Sequence, residues 1–162
     1  MVKVPIRLVS WDEIAEWARL LSMKIKDSGW LPDIVVAIAR GGYAPARLVC
    51  DYLGITDLIS LQVVHWPSTA QVAEKAYIKY PLSVDLSGKK VLVIDDIVDT
   101  GDSIQLAKEH IERNNRNVEV RTAASSGYQP SPSSSLITGL LRSGIGRGLS
   151  IHGTLPRTPR TS

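Results

Sequence analysis

Two adjacent carboxylates and a turn suited to phosphate follow one apolar run in the middle of the chain. Val91–Ile94 leads into Asp95 and Asp96, and the next residues form a turn rich in hydroxyl groups and glycine that ends at Ser103. Unpaired backbone N–H groups at a helix start bind phosphate dianions, aided by the helix dipole. The carboxylates would repel that phosphate unless they met hydroxyls or a cation, and a ribose diol with Mg²⁺ supplies both. The spacing therefore predicts a phosphosugar site.

A second motif, Ala39-Arg40-Gly41-Gly42, follows another apolar run. Adjacent glycines expose consecutive N–H donors and the arginine supplies a fixed charge, which together fit pyrophosphate. Such a tetrapeptide is by itself an ordinary turn, just as two acids alone can simply end a strand. The combination of both motifs favours a ligand site. The sequence G-x-x-x-x-G-K-[ST], typical of another phosphate-binding loop, does not occur.

The elements that must position these motifs follow from periodicity. Ser10 and Glu13 have the spacing of a capping box, and apolar residues recur at helical intervals up to Gly29. The runs 33–39 and 90–95 are continuous, apolar and rich in β-branched residues. Such runs are typical of strands buried on both faces of a parallel sheet.

Further elements alternate along the chain. The pattern predicts helices over 45–53 and 104–113 and strands over 58–64 and 118–123. Trp66–Pro81 has mixed polarity and no clean period, which indicates a long loop of the kind that often serves function. We therefore expect an α/β fold with a doubly wound, mainly parallel sheet and ligands outside the carboxyl ends of its strands.

Val91–Ser103 resembles the signature of the type I phosphoribosyltransferases, whose co-substrate is 5-phosphoribosyl-1-pyrophosphate (PRPP). The stretch from Leu8 to Ala123 is similar to the xanthine, guanine and hypoxanthine branch, including Val9–Trp11 and Val118–Thr122. The resemblance implies a purine salvage enzyme that transfers the phosphoribosyl group from PRPP to a 6-oxopurine base and releases pyrophosphate. It also implies Mg²⁺ as cofactor and a homo-oligomer, most simply a dimer.

The same resemblance implies a role for each motif residue. Asp95 and Asp96 would hold the ribose hydroxyls and Mg²⁺, directly or through water. Asp99 would assist proton transfer near the base, and Arg40 would stabilise the departing pyrophosphate. The residues implied for ribose and 5′-phosphate are Asp95, Asp96, Val98, Asp99, Thr100, Gly101, Asp102 and Ser103; those for pyrophosphate are Ala39, Arg40, Gly41 and Gly42; and those of the mobile loop 66–81 that could touch pyrophosphate are Lys75, Tyr77 and Lys79.

The resemblance stops near residue 124. In this branch a hood with a purine-stacking aromatic residue follows the last strand, whereas residues 125–162 are rich in Ser, Gly, Pro and Arg and contain no Trp, Asp or Glu. We therefore divide the chain into a phosphoribosyltransferase core, 1–124, and a tail, 125–162, that is either disordered or frameshifted. With suitable synonymous codons, the DNA for Ser135–Arg160 read one base out of frame can encode an acidic, Trp-rich segment containing Pro-Trp.

Composition argues against other classes of protein. Of the 19 basic residues, four lie in 125–162, whereas none of the 16 acidic residues does, so the core is near neutral and no nucleic-acid partner is expected. No apolar run is long enough to span a membrane, and a cytoplasmic address is expected. Cys50 fits a small core residue, and His65 and His110 fit a strand end and a helix surface.

Three alternatives stay open at this level. A regulatory protein would use the same pocket to sense PRPP, but the basic face or added DNA-binding helices that it needs are absent from 1–124. An inactive, truncated relative would still bind the phosphosugar, and the tail favours it. A pyrimidine or orotate phosphoribosyltransferase is the third, because the segment that reads the base is the one that departs from the family.

Overall fold

The computed structural model describes residues 9–65, 76–98 and 101–127. Within these ranges three helices alternate with five strands. In chain order they are α1 (Trp11–Asp27), β1 (Ile34–Ala39), α2 (Tyr43–Leu53), β2 (Leu58–His65), β3 (Ala76–Tyr80), β4 (Lys90–Val98), α3 (Asp102–Asn114) and β5 (Glu119–Gly127). None of these helices is both long enough and apolar enough to cross a membrane.

The strands form one sheet in the order β3-β2-β1-β4-β5. All neighbours are parallel except β2 and β3, which are antiparallel. The predicted α/β class with a mainly parallel, doubly wound sheet is confirmed. β1 and β4 lie in the middle, where both faces are covered, and this burial explains their uninterrupted apolar sequences.

Helices cover both faces of the sheet. One buried cluster joins α1 and α2 to the sheet and contains Trp17, Ala18, Leu21, Ile25, Trp30, Val35, Ala37, Ala46, Val49, Cys50, Leu92, Ile94 and Ala123. The other joins α3 to the opposite face and contains Val36, Ile38, Leu61, Val63, Leu86, Val91, Val93, Ala107, Ile111 and Val120. Cys50 is buried as expected, and burial raises the pKa of its thiol to about 11, so it is a core residue rather than a nucleophile.

The largest differences from the sequence prediction are at the ends of β4 and β5 and at residues 76–80. β4 continues to Val98 and β5 to Gly127, because the two strands stay paired up to those residues. Residues 76–80, predicted as loop, form β3, which pairs with β2. β3 is an edge strand with one neighbour, and its last two residues, Lys79 and Tyr80, are exposed. An edge strand needs no apolar alternation of the kind that a buried strand shows, so its sequence carries little signal.

A capping box fixes the start of α1. The Ser10 hydroxyl accepts the Glu13 N–H at 3.2 Å, and the Glu13 carboxylate accepts the Ser10 N–H at 2.8 Å. Removing this hydroxyl in Ser10→Ala is expected to lower the free energy of unfolding by about 1 kcal/mol, measured by urea denaturation. Ser10→Thr, which keeps the hydroxyl, serves as the control. Equal stability of the alanine and threonine variants would show that the cap contributes nothing.

Candidate active site

The two predicted motifs meet at the carboxyl edge of the sheet. β1 and β4 are parallel neighbours, with Ala37 opposite Ile94, so the residues that follow each strand leave the sheet on the same side. Gly41 then lies directly against Asp96: a Cβ atom added to Gly41 would overlap the Asp96 carboxylate. The predicted pyrophosphate loop and the acidic pair therefore form one continuous surface.

Asp95 is the buried member of the acidic pair. Its side chain is only 7% exposed, and its Oδ1 accepts the backbone N–H of Asp96 at 2.9 Å. Burial raises the pKa of Asp95 to about 7, the neighbouring Asp96 carboxyl adds to the rise, and the bond from the Asp96 N–H opposes it. A hydroxyl donor or a cation would favour the charged form. Asp95 is thus suited to accept hydrogen bonds from a polar ligand.

Backbone hydrogen bonds fix the conformation of the loop after β1. The Gly42 N–H donates to the Ile38 carbonyl at 2.9 Å, and the Tyr43 N–H donates to the Arg40 carbonyl at 3.2 Å. The peptide bond between Ala39 and Arg40 is cis. Arg40 and Gly41 are exposed, whereas Gly42 is buried. The loop therefore leaves Arg40 exposed to solvent and places the Gly41 backbone against Asp96.

Gly101 sets the start of α3. Its φ of 86° lies in the left-handed region that glycine adopts without a steric penalty, and its carbonyl accepts the Gln105 N–H at 3.0 Å. Gly101 has no side chain to cap the helix, so no side-chain cap hydrogen bond is made to the N–H groups of the first turn. Such a helix start favours an anion. Asp102 and Ser103 occupy this turn.

His65 joins the site, although the sequence pattern predicted only a strand-end residue at this position. Its Nε2 lies 2.9 Å from the Ser103 hydroxyl oxygen. The two-residue period of β2 could have predicted this contact. Leu61 and Val63 both pack on the α3 side of the sheet, and His65 follows them at the same period. His110 is a helix-surface residue near Asn114, as expected.

For several predicted site residues the structure gives no place at this surface. Asp99, Thr100 and Lys75 fall outside the described residues, as do the rest of 66–75 and the tail from residue 128. Tyr77 and Lys79 belong to β3 rather than to a loop, so their assignment to a loop was wrong; Lys79 lies 5.2 Å from the centre of the Tyr80 ring. Their predicted contact with pyrophosphate stays a prediction.

Comparisons with known proteins agree with this geometry. The chain is 32% identical to a xanthine-guanine phosphoribosyltransferase of Roseobacter denitrificans over 111 residues, 62% of this chain and 61% of the relative. A protein of the same description from Ruegeria is 35% identical over 111 residues, with the same coverage. The matched part of the chain thus spans about three fifths of the length of these relatives.

Two solved structures are also similar to this chain. A purine phosphoribosyltransferase from Pyrococcus horikoshii is 25% identical with a TM-score of 0.64, covering 78% of this chain and 79% of its own. A hypothetical protein from Neisseria gonorrhoeae with bound ppGpp is 27% identical with a TM-score of 0.61, covering 76% of each chain. The phosphoribosyl transferase domain family matches residues 10–133. Because that match spans most of the sequence and both motifs, the chain belongs to the phosphoribosyl transferase domain family.

Proposed function

We propose that this chain is a purine phosphoribosyltransferase, which transfers the 5-phosphoribosyl group from PRPP to a 6-oxopurine and releases pyrophosphate. The observation that carries the proposal is the contact between Gly41 and Asp96. It brings a loop suited to pyrophosphate against a carboxylate suited to ribose hydroxyls. In PRPP the pyrophosphate is attached to C1 of the ribose, next to the hydroxyl on C2. The named relatives support the purine as acceptor.

Each part of the surface has a task in this proposal. Asp95 and Asp96 accept hydrogen bonds from the ribose hydroxyls, and Ser103 with the first turn of α3 binds the 5′-phosphate. Arg40 and the backbone of Gly41 balance the charge that develops on pyrophosphate as its bond to C1 breaks. A base nitrogen then forms the new bond at C1. The role of Asp99 in proton transfer rests on the family resemblance.

The acidic pair suits a Mg²⁺ ion that keeps part of its water shell. Mg²⁺ keeps several waters and is commonly held by one or two carboxylates together with substrate phosphates. Over the described ranges, no group of three or more His, Cys, Asp or Glu side chains converges into a complete metal cage. Asp95 and Asp96 therefore suit an ion that arrives with PRPP and stays partly hydrated. When bound, Mg²⁺ would neutralise charge on the pyrophosphate.

The proposal also includes the origin of the tail, the oligomeric state and the location in the cell. We keep the predicted division into a core over 1–124 and a tail over 125–162, the tail being disordered or the product of a single-base frameshift near Ala123 or Ala124. β5, however, runs to Gly127 and so includes the first three residues assigned to the tail. Sequencing the coding DNA decides between these origins: codons incompatible with an acidic, Trp-rich second frame would rule out the frameshift. A homodimer and a cytoplasmic address stay predictions.

The activity test is pyrophosphate release from PRPP with guanine, xanthine, hypoxanthine, adenine, uracil and orotate, for the present chain and for a frame-repaired version. We expect release with 6-oxopurines that stops when EDTA removes Mg²⁺ or when the base is omitted. Release only with uracil or orotate would move the chain to the pyrimidine enzymes. PRPP binding without release by either version would favour the sensor or the inactive relative.

A second ligand is suggested by the Neisseria protein, which is described with bound ppGpp. Like PRPP, ppGpp carries phosphate groups on a ribose, so the helix start at Gly101 and the loop at Arg40 suit both. We therefore include ppGpp as a competitor in the PRPP binding assay. A rise in the apparent dissociation constant of PRPP with ppGpp concentration would place both ligands in one pocket.

A further inference from the structure

We propose that His65 is a positioning residue for the 5′-phosphate: it donates from Nε2 to the Ser103 oxygen and thereby directs the Ser103 hydroxyl hydrogen toward the ligand. This inference rests on the proposed function, because it assumes a phosphate at the start of α3. It adds to the site a residue from β2, a strand that carries neither motif.

The fold places His65 where this is possible. Leu61 and Val63 are buried at 1% and 9% exposure beneath α3. His65 continues the same face of β2 but lies at its exposed end, level with the beginning of the helix. Its ring reaches Ser103, the second residue of α3, at 2.9 Å. The contact thus joins the carboxyl end of β2 to the helix turn that would hold phosphate.

The hydrogen count of the Ser103 hydroxyl gives the contact a direction. A serine hydroxyl has one hydrogen to donate, whereas a phosphate dianion offers only acceptor oxygens. If Ser103 donated to His65, no hydroxyl hydrogen would remain for the ligand. A bound phosphate therefore selects the arrangement in which Nε2 carries the hydrogen and donates to Ser103. The result is a chain of two hydrogen bonds, in which the imidazole donates to the hydroxyl and the hydroxyl donates to the phosphate, and each bond polarises the other.

Substitutions can separate positioning from a structural role. In His65→Leu the donor is lost, and the dissociation constant and KM for PRPP are expected to rise about tenfold with kcat changed less than about twofold. His65→Gln, whose amide can donate to Ser103, should recover most of this loss. His110→Leu, on the surface of the same helix that bears Ser103, is the matched control and should bind PRPP as the wild type does.

Two further measurements test the mechanism itself. Ser103→Ala should weaken PRPP binding, and adding His65→Leu to it should cost little more, since both changes break one chain of hydrogen bonds. Pyrophosphate has no 5′-phosphate, so its affinity should stay the same in His65→Leu. In ¹⁵N spectra of the wild type, ribose 5-phosphate should shift the His65 ring toward the form with hydrogen on Nε2.

The outcomes separate the inference from the proposed function. Equal losses of PRPP and pyrophosphate affinity in His65→Leu, additive effects of the two substitutions, or a ring that keeps its hydrogen on Nδ1 would each overturn the inference. A wild-type chain that binds ribose 5-phosphate through His65 yet transfers no base would contradict the proposed function alone. A chain that binds neither ribose 5-phosphate nor PRPP would contradict both.

Discussion

Gly41→Ala is expected to lower kcat/KM for PRPP at least about a hundredfold, because displacing reacting groups by about an ångström has an effect of that size. The new methyl group would overlap the Asp96 carboxylate, so either the loop or the carboxylate must move. Both would bind the same PRPP molecule, and a shift of one against the other separates pyrophosphate from ribose. The measurement is the initial rate of pyrophosphate release over a range of PRPP concentrations.

Gly54→Ala is the matched control for this substitution. Gly54 has a left-handed φ of 71° at the end of α2, and a Cβ there meets no atom within 4 Å. The control should therefore lose about 1 kcal/mol of folding stability through backbone strain but keep its kcat/KM. Near-normal kcat/KM in Gly41→Ala, with a fold intact by circular dichroism, would contradict the assignment of this loop to the active site.

Asp95→Asn is expected to stabilise the fold at pH 8 while it impairs PRPP use. The folded chain keeps a proton on Asp95 up to a pKa of about 7, whereas the unfolded chain loses it at the ordinary value of 3.8. Between these values the folded state binds more protons, so its stability falls as pH rises from about 4 to about 7 and is constant above. The neutral amide avoids that loss, which is on the order of 2–4 kcal/mol at pH 8 and absent near pH 4.

Urea denaturation of both proteins at pH 4, 6 and 8, without Mg²⁺, measures this difference. Asp85→Asn is the control: Asp85 is exposed, and hydrogen bonds from Ser87 lower its pKa, so the control should show no gain that grows with pH. The Asp95→Asn variant should also lose at least about tenfold in kcat/KM for PRPP, because it has one charged acceptor fewer. A variant less stable than the wild type at pH 8 would contradict burial as the cause of the raised pKa.

The sequence alone predicted the two central strands and missed β3, one of the two edge strands of the described sheet, and burial helps to explain both results. β1 and β4 are covered on both faces, so nearly every residue in them must be apolar and the run is easy to recognise. β3 pairs on one side only and tolerates Lys79 and Tyr80 in exposed positions. The end of β4 was placed too early because carboxylates suggested a turn, whereas pairing with β5 carries the strand past Asp95.

By itself the sequence determined the chemical groups of the site and the local structures that carry them: the acidic pair after an apolar run, the glycine before α3 and the Arg-Gly-Gly loop. These signals are local, since periodicity, capping and left-handed glycine act within a few residues. Only the tertiary structure decided that Gly41 touches Asp96, that Asp95 is buried deeply enough to raise its pKa, and that His65 meets Ser103 from 38 positions away. Those facts depend on strand order and on the depth at which each residue lies, which arise when distant segments pair and pack, and the spacing of residues along the chain does not encode them.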